Sequence, residues 1–156
     1  MKKIKVNEIY YSIQGESSLS GLPCIFIRLT YCNLRCSYCD SEYAFYEGED
    51  MTINQILSEI KKYHCNLVEV TGGEPLLQSG CIDLLNELID KKYEVMIETS
   101  GSLPVDLVHK NVKKIIDFKC PSSNVEHKNL WAILDYVSKN DEIKFVIGDR
   151  TDFEWA

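Results

Sequence analysis

Cys32, Cys36 and Cys39 fall within eight consecutive positions, Cys32-Asn33-Leu34-Arg35-Cys36-Ser37-Tyr38-Cys39, spaced four and then three apart. Three thiolates on one short loop reach three corners of an iron–sulfur cube. The fourth iron is then left without a protein ligand, and an open position on iron is where a substrate or cofactor coordinates. Two plainer readings compete. A structural zinc wants a fourth Cys or His at close spacing, and His64 and Cys65 are the candidates, at the end of a predicted helix on the other side of the sheet. Buried, unreactive thiols are the common fate of isolated cysteines, which is the reading for Cys24, Cys65 and Cys81. A second segment, Val70-Thr71-Gly72-Gly73-Glu74-Pro75, pairs two glycines that let a backbone approach a ligand closely. Its plain alternative is a strand-to-helix turn.

Both segments follow predicted strands. Cys24–Leu29 (CIFIRL) and Leu67–Thr71 (LVEVT) are short, apolar and rich in β-branched or aromatic residues. Three more strands are predicted at Glu94–Glu98, Lys114–Phe118 and Ile143–Ile147. Between them, Thr52–Tyr63 carries Ile53, Ile56, Leu57 and Ile60 at helical spacing, and Thr52 with Gln55 has the form of a capping box. Ser79–Lys91 and Glu126–Val137 are predicted as further helices, Pro104–His109 as a short helix at most, and Thr151–Ala156 as the start of another. Strands separated by helices of this length call for a parallel sheet with right-handed crossovers. Five strands are too few to close an eight-stranded barrel, so an α/β partial barrel, open on one side, is expected over residues 1–156 as one domain. In such folds ligands sit at the carboxyl ends of the strands.

The composition narrows the class. Seventeen basic and 24 acidic residues give a net charge of −7, which argues against a protein whose main task is gripping a nucleic-acid backbone. No apolar run approaches a membrane span, and the lysines of the N-terminus are not followed by a continuous apolar core. The expected location is the cytoplasm, where seven cysteines are unlikely to be disulfides.

The C-x-x-x-C-x-x-C spacing resembles that of the radical S-adenosylmethionine (SAM) superfamily, and Gly72-Gly73-Glu74-Pro75 resembles its GGEP motif. The resemblance implies a [4Fe–4S] cluster on Cys32, Cys36 and Cys39, with SAM chelating the unique iron and cleaved reductively to an adenosyl radical. It gives about five or six parallel strands. It also places Tyr38 near the adenine and Gly73 at the amino group of SAM.

Five further segments resemble the 7-carboxy-7-deazaguanine synthase family in particular. They are Glu8-Ile9-Tyr10-Tyr11-Ser12-Ile13-Gln14-Gly15-Glu16-Ser17, Phe26-Ile27-Arg28-Leu29, Cys39-Asp40-Ser41, Ile97-Glu98-Thr99-Ser100-Gly101 and Asp117-Phe118-Lys119-Cys120-Pro121-Ser122-Ser123. Together they run from about Glu8 to Ser123. Ser17 stands where the family has Gly, and Asp117-Phe118 where it has Ser-Pro. The implied reaction contracts the ring of 6-carboxy-5,6,7,8-tetrahydropterin to 7-carboxy-7-deazaguanine with loss of ammonia, on the route to queuosine. SAM contacts are implied for Tyr38, Cys39, Asp40, Gly73, Asp117, Phe118 and Lys119. Substrate contacts are implied for Ile13, Gln14, Gly15, Arg28, Thr71 and Glu98, and a Mg²⁺ ligand for Ser41. An external one-electron reductant of the flavodoxin type is implied as well.

Elementary chemistry is consistent with these roles. Arg28 offers a bidentate fork to a carboxylate, against the alternative of a surface ion pair. Glu98 accepts from ring N–H groups and Gln14 both donates and accepts; the alternatives are a solvated carboxylate and a polar loop. Ser41 is a hard oxygen donor suited to magnesium, or a turn hydroxyl. Lys119 is otherwise a solvated lysine. The family's chains run longer, with a sixth strand and a C-terminal tail over the pocket, so this chain is a shortened member, a fragment, or a dimer that completes its pocket from a partner. An exposed last strand edge is a liability, and a homodimer is the expectation. Two other functions stay open: a glycyl-radical-enzyme activase, a short radical SAM protein that lacks the Gln-Gly-Glu opening, and a non-enzymatic zinc module.

Overall fold

The computed structural model describes residues 2–156. Its core is a seven-stranded sheet in the order β3-β1-β2-β4-β5-β6-β7. The strands are β1 Lys3–Ile13, β2 Pro23–Leu29, β3 Glu49–Thr52, β4 Leu67–Gly72, β5 Glu94–Thr99, β6 Lys113–Phe118 and β7 Glu142–Phe145. β2, β4, β5, β6 and β7 are parallel neighbours, while β1 runs antiparallel to both β2 and β3. The five parallel strands are the five predicted from sequence, and the open, mostly parallel α/β architecture is the one expected. β1 and β3 are additions. The alternation of Ile4 and Val6 marks β1, but a bulge between Val6 and Glu8 breaks its period.

Three α-helices accompany the sheet: α1 Ile53–Ile60, α2 Cys81–Asp90 and α3 Arg150–Trp155. The predicted capping box starts α1, with Thr52 Oγ1 accepting from the Gln55 N–H and Gln55 Oε1 accepting from the Thr52 N–H. No helix forms at 104–109. The long helix predicted over 126–137 is also absent, replaced by two 3₁₀ turns, Glu126–Lys128 and Trp131–Tyr136. The break lies at Asn129 and Leu130. The Leu130 N–H donates to the Gly101 carbonyl (2.8 Å), and the Asn129 side chain is bonded to the backbone of Lys119. These tertiary bonds replace the intrahelical ladder.

The two faces of the sheet differ, because side chains alternate along each strand. Ile25, Ile27, Leu29, Val68, Val70, Val95, Ile97, Ile116 and Phe118 pack with α1 and α2 in the main core, which also holds Cys81. The opposite face has an apolar floor of Cys24, Phe26, Leu67, Met96 and Ile115. Cys24 and Cys81 are thus core thiols, as expected, and Cys65 is half-buried with its thiol against the Pro23 carbonyl (3.2 Å). Burial pushes the Cys24 thiol up to about 12. Among the described residues no helix is long and apolar enough to cross a membrane.

Candidate active site

On that second face, above the apolar floor, the carboxyl ends of the parallel strands surround a cavity of about 520 Å³. The period of two brings polar residues to it in steps: Arg28 on β2, Glu69 and Thr71 on β4, Glu98 on β5, Asp117 on β6 and Lys144 on β7. Gln14, Gly15 and Glu16 enter from the turn after β1. Cys32, Cys36 and Cys39 line the same cavity from the loop after β2, so all three predicted thiols share one cavity with the predicted ring-binding residues.

The cysteine loop is held from several sides. Leu34 is buried beneath it, and Arg35 Nη1 donates to the Cys32 and Leu34 carbonyls (2.9 and 2.6 Å) while its guanidinium lies 4.0 Å from the Phe45 ring centroid. The Ser37 N–H donates to the Ser123 carbonyl (3.0 Å) and its hydroxyl to that of Ser122 (2.5 Å). Ser122 in turn donates its N–H to Asp152 of α3 (2.9 Å). Burial raises the Cys32 and Cys36 thiols; the Leu34 N–H opposes this at Cys32 and the Lys119 ammonium at Cys36. Among the described residues no three Cys, His, Asp or Glu side chains converge on one metal-ion position.

The turn after β4 presses against this loop. A Cβ at Gly73 would lie 2.3 Å from the Tyr31 carbonyl oxygen and 2.7 Å from Cys32 Cβ, and one at Gly72 (φ +143°) would lie 2.1 Å from the Leu29 oxygen. Only glycine permits that contact. Glu74, fully buried, accepts from the Leu76 N–H (3.0 Å), the Thr99 hydroxyl (2.9 Å), and the Ser100 N–H and hydroxyl (2.8 and 2.6 Å). Its carboxylate ties the glycine turn to the end of β5.

At the other end, Gln14 is buried and its amide donates to Glu69 and, at 3.6 Å, to Met96 Sδ. Glu98 accepts from Lys144 (2.7 Å) and Thr71 (3.3 Å), and Lys144 also pairs with Glu16. Glu98 is therefore a half-buried, ion-paired group rather than a solvated one. Burial and the Glu98 charge raise Glu69 to about 7. Burial opposes the charge of Lys144, but Glu98 and Glu16 outweigh it and hold the ammonium above the usual lysine range. Arg28 donates to Glu8 (2.7 Å) and to the Tyr10 hydroxyl (3.0 Å), with the Tyr10 and Tyr43 rings 5.9 and 5.7 Å away. It is ion-paired, yet it still lines the cavity.

Among the described residues two buried side-chain polar atoms lack a hydrogen-bond partner, Tyr38 Oη and Asp117 Oδ1, and both residues line this cavity. Buried polar atoms in native proteins are almost always paired, so an orphaned phenol and carboxylate oxygen beside three thiols suit a bound polar cofactor. Asp117 Oδ2 pairs with Lys119 (2.9 Å), which is mostly buried, not a solvated lysine. The Ser41 hydroxyl makes no cap bond to the following 3₁₀ turn; it donates to Asp40 (3.0 Å), leaving two hard oxygen donors side by side. Ile13, 65% exposed, also lines the cavity.

Phe118 is the exception among the expected site residues. Its side chain is fully buried on the opposite face, stacked on Trp131 at 4.7 Å. Strand alternation sends Asp117 and Lys119 to the cavity and Phe118 to the core. Sequence reasoning missed Glu69, Lys144 and Asn129. The signal for the first two was a lone charge inside an apolar strand, LVEVT and IKFVI.

Comparisons with known proteins agree with this geometry. Residues 26–126 match the model of the Radical SAM superfamily. The chain is 49% identical over 155 residues to the 7-carboxy-7-deazaguanine synthase of Koribacter versatilis, covering 98% of this chain and 69% of that protein. It is 46% identical over 156 residues to the protein of the same name from Chlorobaculum tepidum, covering 98% of this chain and 71% of the other. The crystal structure of QueE from Escherichia coli superposes with a TM-score of 0.84 at 25% identity, over 97% of this chain and 75% of that one. With a cysteine loop, a glycine turn and a polar ring-sized pocket on one cavity, the chain belongs to the radical SAM superfamily and, within it, to the 7-carboxy-7-deazaguanine synthases.

Proposed function

We infer that this chain is a radical SAM lyase converting 6-carboxy-5,6,7,8-tetrahydropterin to 7-carboxy-7-deazaguanine with loss of ammonia, a step toward 7-deazapurines such as queuosine. The observation that carries the reading is the shared cavity. Its cysteine wall and its Gln14–Glu98 end face one space, so an activated cofactor and a small polar ring would meet there. When bound, a [4Fe–4S] cluster with SAM supplies hydrogen-atom abstraction after one-electron reduction by an external donor of the flavodoxin type.

The chain's own residues bind and orient. Cys32, Cys36 and Cys39 would hold the cluster, leaving one iron for SAM. Tyr38, Asp40, Gly73, Asp117 and Lys119 would hold SAM, with the orphaned Asp117 Oδ1 and Tyr38 hydroxyl as open hydrogen-bond positions. Gln14 and Glu98 would grip the donors and acceptors of the pterin ring, with Ile13, Gly15 and Thr71 along its edge. Arg28, already neutralised on one side by Glu8, would present its remaining N–H groups to the substrate carboxylate. The Ser41 hydroxyl beside Asp40 supports a Mg²⁺ shared with the ligand. A homodimer that pairs the outer edge of β7 is part of the proposal.

The test is an anaerobic assay of reconstituted protein with SAM, the carboxypterin and reductant, with and without Mg²⁺. The expected outcome is 7-carboxy-7-deazaguanine, made faster with the metal. Cleavage of SAM without a deazapurine product would refute the substrate while leaving the superfamily untouched.

A further inference from the structure

Glu69 stands in the middle of an apolar strand, is 4% exposed, and lines the ring end of the cavity. Two groups that the proposed reaction uses stand next to it. The Gln14 amide donates to its carboxylate, and Glu98 lies on the neighbouring strand β5, on the same face of the sheet and lining the same cavity. We propose that Glu69 is a positioning residue that shares one proton with Glu98 while clamping the Gln14 amide, and so sets the faces that both present to a 2-amino-4-oxo ring. This rests on the reading that the Gln14–Glu98 end receives the pterin.

The charge balance around it favours such a proton. From β1 it meets Gln14 and the Tyr10 phenol, from the following turn Glu16, from β2 the Cys24 thiol, and from β5 Glu98. Beyond Glu98 stand Asp117 on β6 and Lys144 on β7. Two cations stand in this neighbourhood, Lys144 and, on β2, the Arg28 guanidinium that bonds Tyr10; Lys144 pairs with Glu98 and Glu16, and Arg28 pairs with Glu8. Among the described residues no cation forms an ion pair with Glu69. A carboxylate buried this deeply beside a second carboxylate is disfavoured as the anion, and the less exposed Glu69 is the one that keeps a proton. A protonated Glu69 donates to Glu98 and accepts from Gln14, which satisfies both neighbours at once. An ionised Glu69 repels Glu98 and turns it from its Lys144 and Thr71 partners. Glutamine at this position mimics the protonated acid: its N–H donates to Glu98 and its carbonyl accepts from Gln14.

The experiment is equilibrium binding of the carboxypterin to anaerobically reconstituted protein without reductant, from pH 6 to 8.5, in wild type, Glu69→Gln and Glu69→Ala. Wild-type affinity should fall about tenfold across that range as Glu69 loses its proton. Glu69→Gln should keep the low-pH affinity with a flat profile. Glu69→Ala, which frees the Gln14 amide, should bind about tenfold more weakly at every pH. A Glu69→Gln curve that follows wild type, or an unweakened Glu69→Ala, overturns the proposal. Carboxyl ¹³C NMR of the ligand-free protein decides the shared proton independently. Titration of Glu69 near neutrality supports it, and titration in the ordinary carboxylate range overturns it. Failure of wild type to bind pterin at any pH would refute the substrate assignment, and the NMR titration would still judge the proton.

Discussion

Asn129 binds the backbone of Lys119 twice: its Oδ1 accepts from the Lys119 N–H and its Nδ2 donates to the Lys119 carbonyl, both at 2.9 Å. The contact joins a residue in an irregular segment to the one that carries an ammonium into the cavity beside Asp117. It fixes the chain just past β6, where no ladder partner remains.

From that follows a first prediction. Asn129→Ala leaves two backbone groups of a half-buried residue unpaired and should cost about 1–3 kcal/mol in denaturant unfolding. It should also weaken SAM binding to the reconstituted protein, measured by equilibrium dialysis, while cluster content stays normal. Unchanged SAM affinity would mean that Lys119 needs no such anchor.

Glu74 lies in the glycine turn, but its geometry is structural. Its buried carboxylate accepts from two backbone N–H groups and two hydroxyls. Glu74→Gln replaces an acceptor-only group with an amide whose NH₂ must face one of those donors. A loss of about 2–4 kcal/mol is expected, read as a lowered melting temperature. A loss of activity at unchanged stability would instead assign Glu74 to ligand contact.

Much of this was legible in the residue pattern, and the gaps have physical reasons. The parallel strands are short apolar runs bounded by turn residues, and a period of two or an apolar run reads well there. β1 escaped because its bulge shifts the alternation after Val6. The helix over 126–137 was over-read because Leu130, Ile133, Leu134 and Val137 have helical spacing, while the competing bonds of Asn129 and Leu130 are long-range and leave no local trace. The site was found where loops follow strands. Residues that reach the cavity from within strands, Glu69 and Lys144, needed knowledge of which face each strand turns inward. Phe118 shows the converse: its segment was recognised, but alternation sends its side chain into the core.

Gly73→Ala tests the junction of the glycine turn and the cysteine loop. The new methyl would meet the Tyr31 carbonyl and Cys32 Cβ, both on the loop that carries the thiols. That loop must move to accept it, so the variant should reconstitute less iron and sulfide than wild type and lose cluster absorbance faster on exposure to air. Normal iron content would show that the two loops are free to part without consequence for the triad.

Arg28 should separate substrate binding from cluster assembly. Its side chain is held by Glu8, Tyr10 and Tyr43, none of them on the cysteine loop. Arg28→Ala should weaken carboxypterin binding by about tenfold to a hundredfold, the scale of a charge-assisted pair, and leave iron content unchanged. Arg28→Lys should recover little, because an ammonium lacks the planar fork. Loss of the cluster in either variant would contradict the role.

The buried acid also carries a stability signature. Glu69 ionises at about 7 in the folded protein, against an ordinary value of 4.5. Between those values the unfolded chain releases the proton while the folded chain retains it, so the unfolded state binds fewer protons and stability falls as pH rises through that window. Below about pH 4.5 both states are protonated, and above about pH 7 both are ionised, so the loss is complete and constant. Replacing Glu69 by glutamine removes this term. The variant should match wild type near pH 4.5 and exceed it by up to about 3 kcal/mol at pH 8, as one pKa unit corresponds to about 1.4 kcal/mol. Urea unfolding of the anaerobic, metal-free protein at the two pH values measures the difference. A gap that does not widen with pH would show that Glu69 carries its charge in the folded state, with Lys144 neutralising it in place of a shared proton.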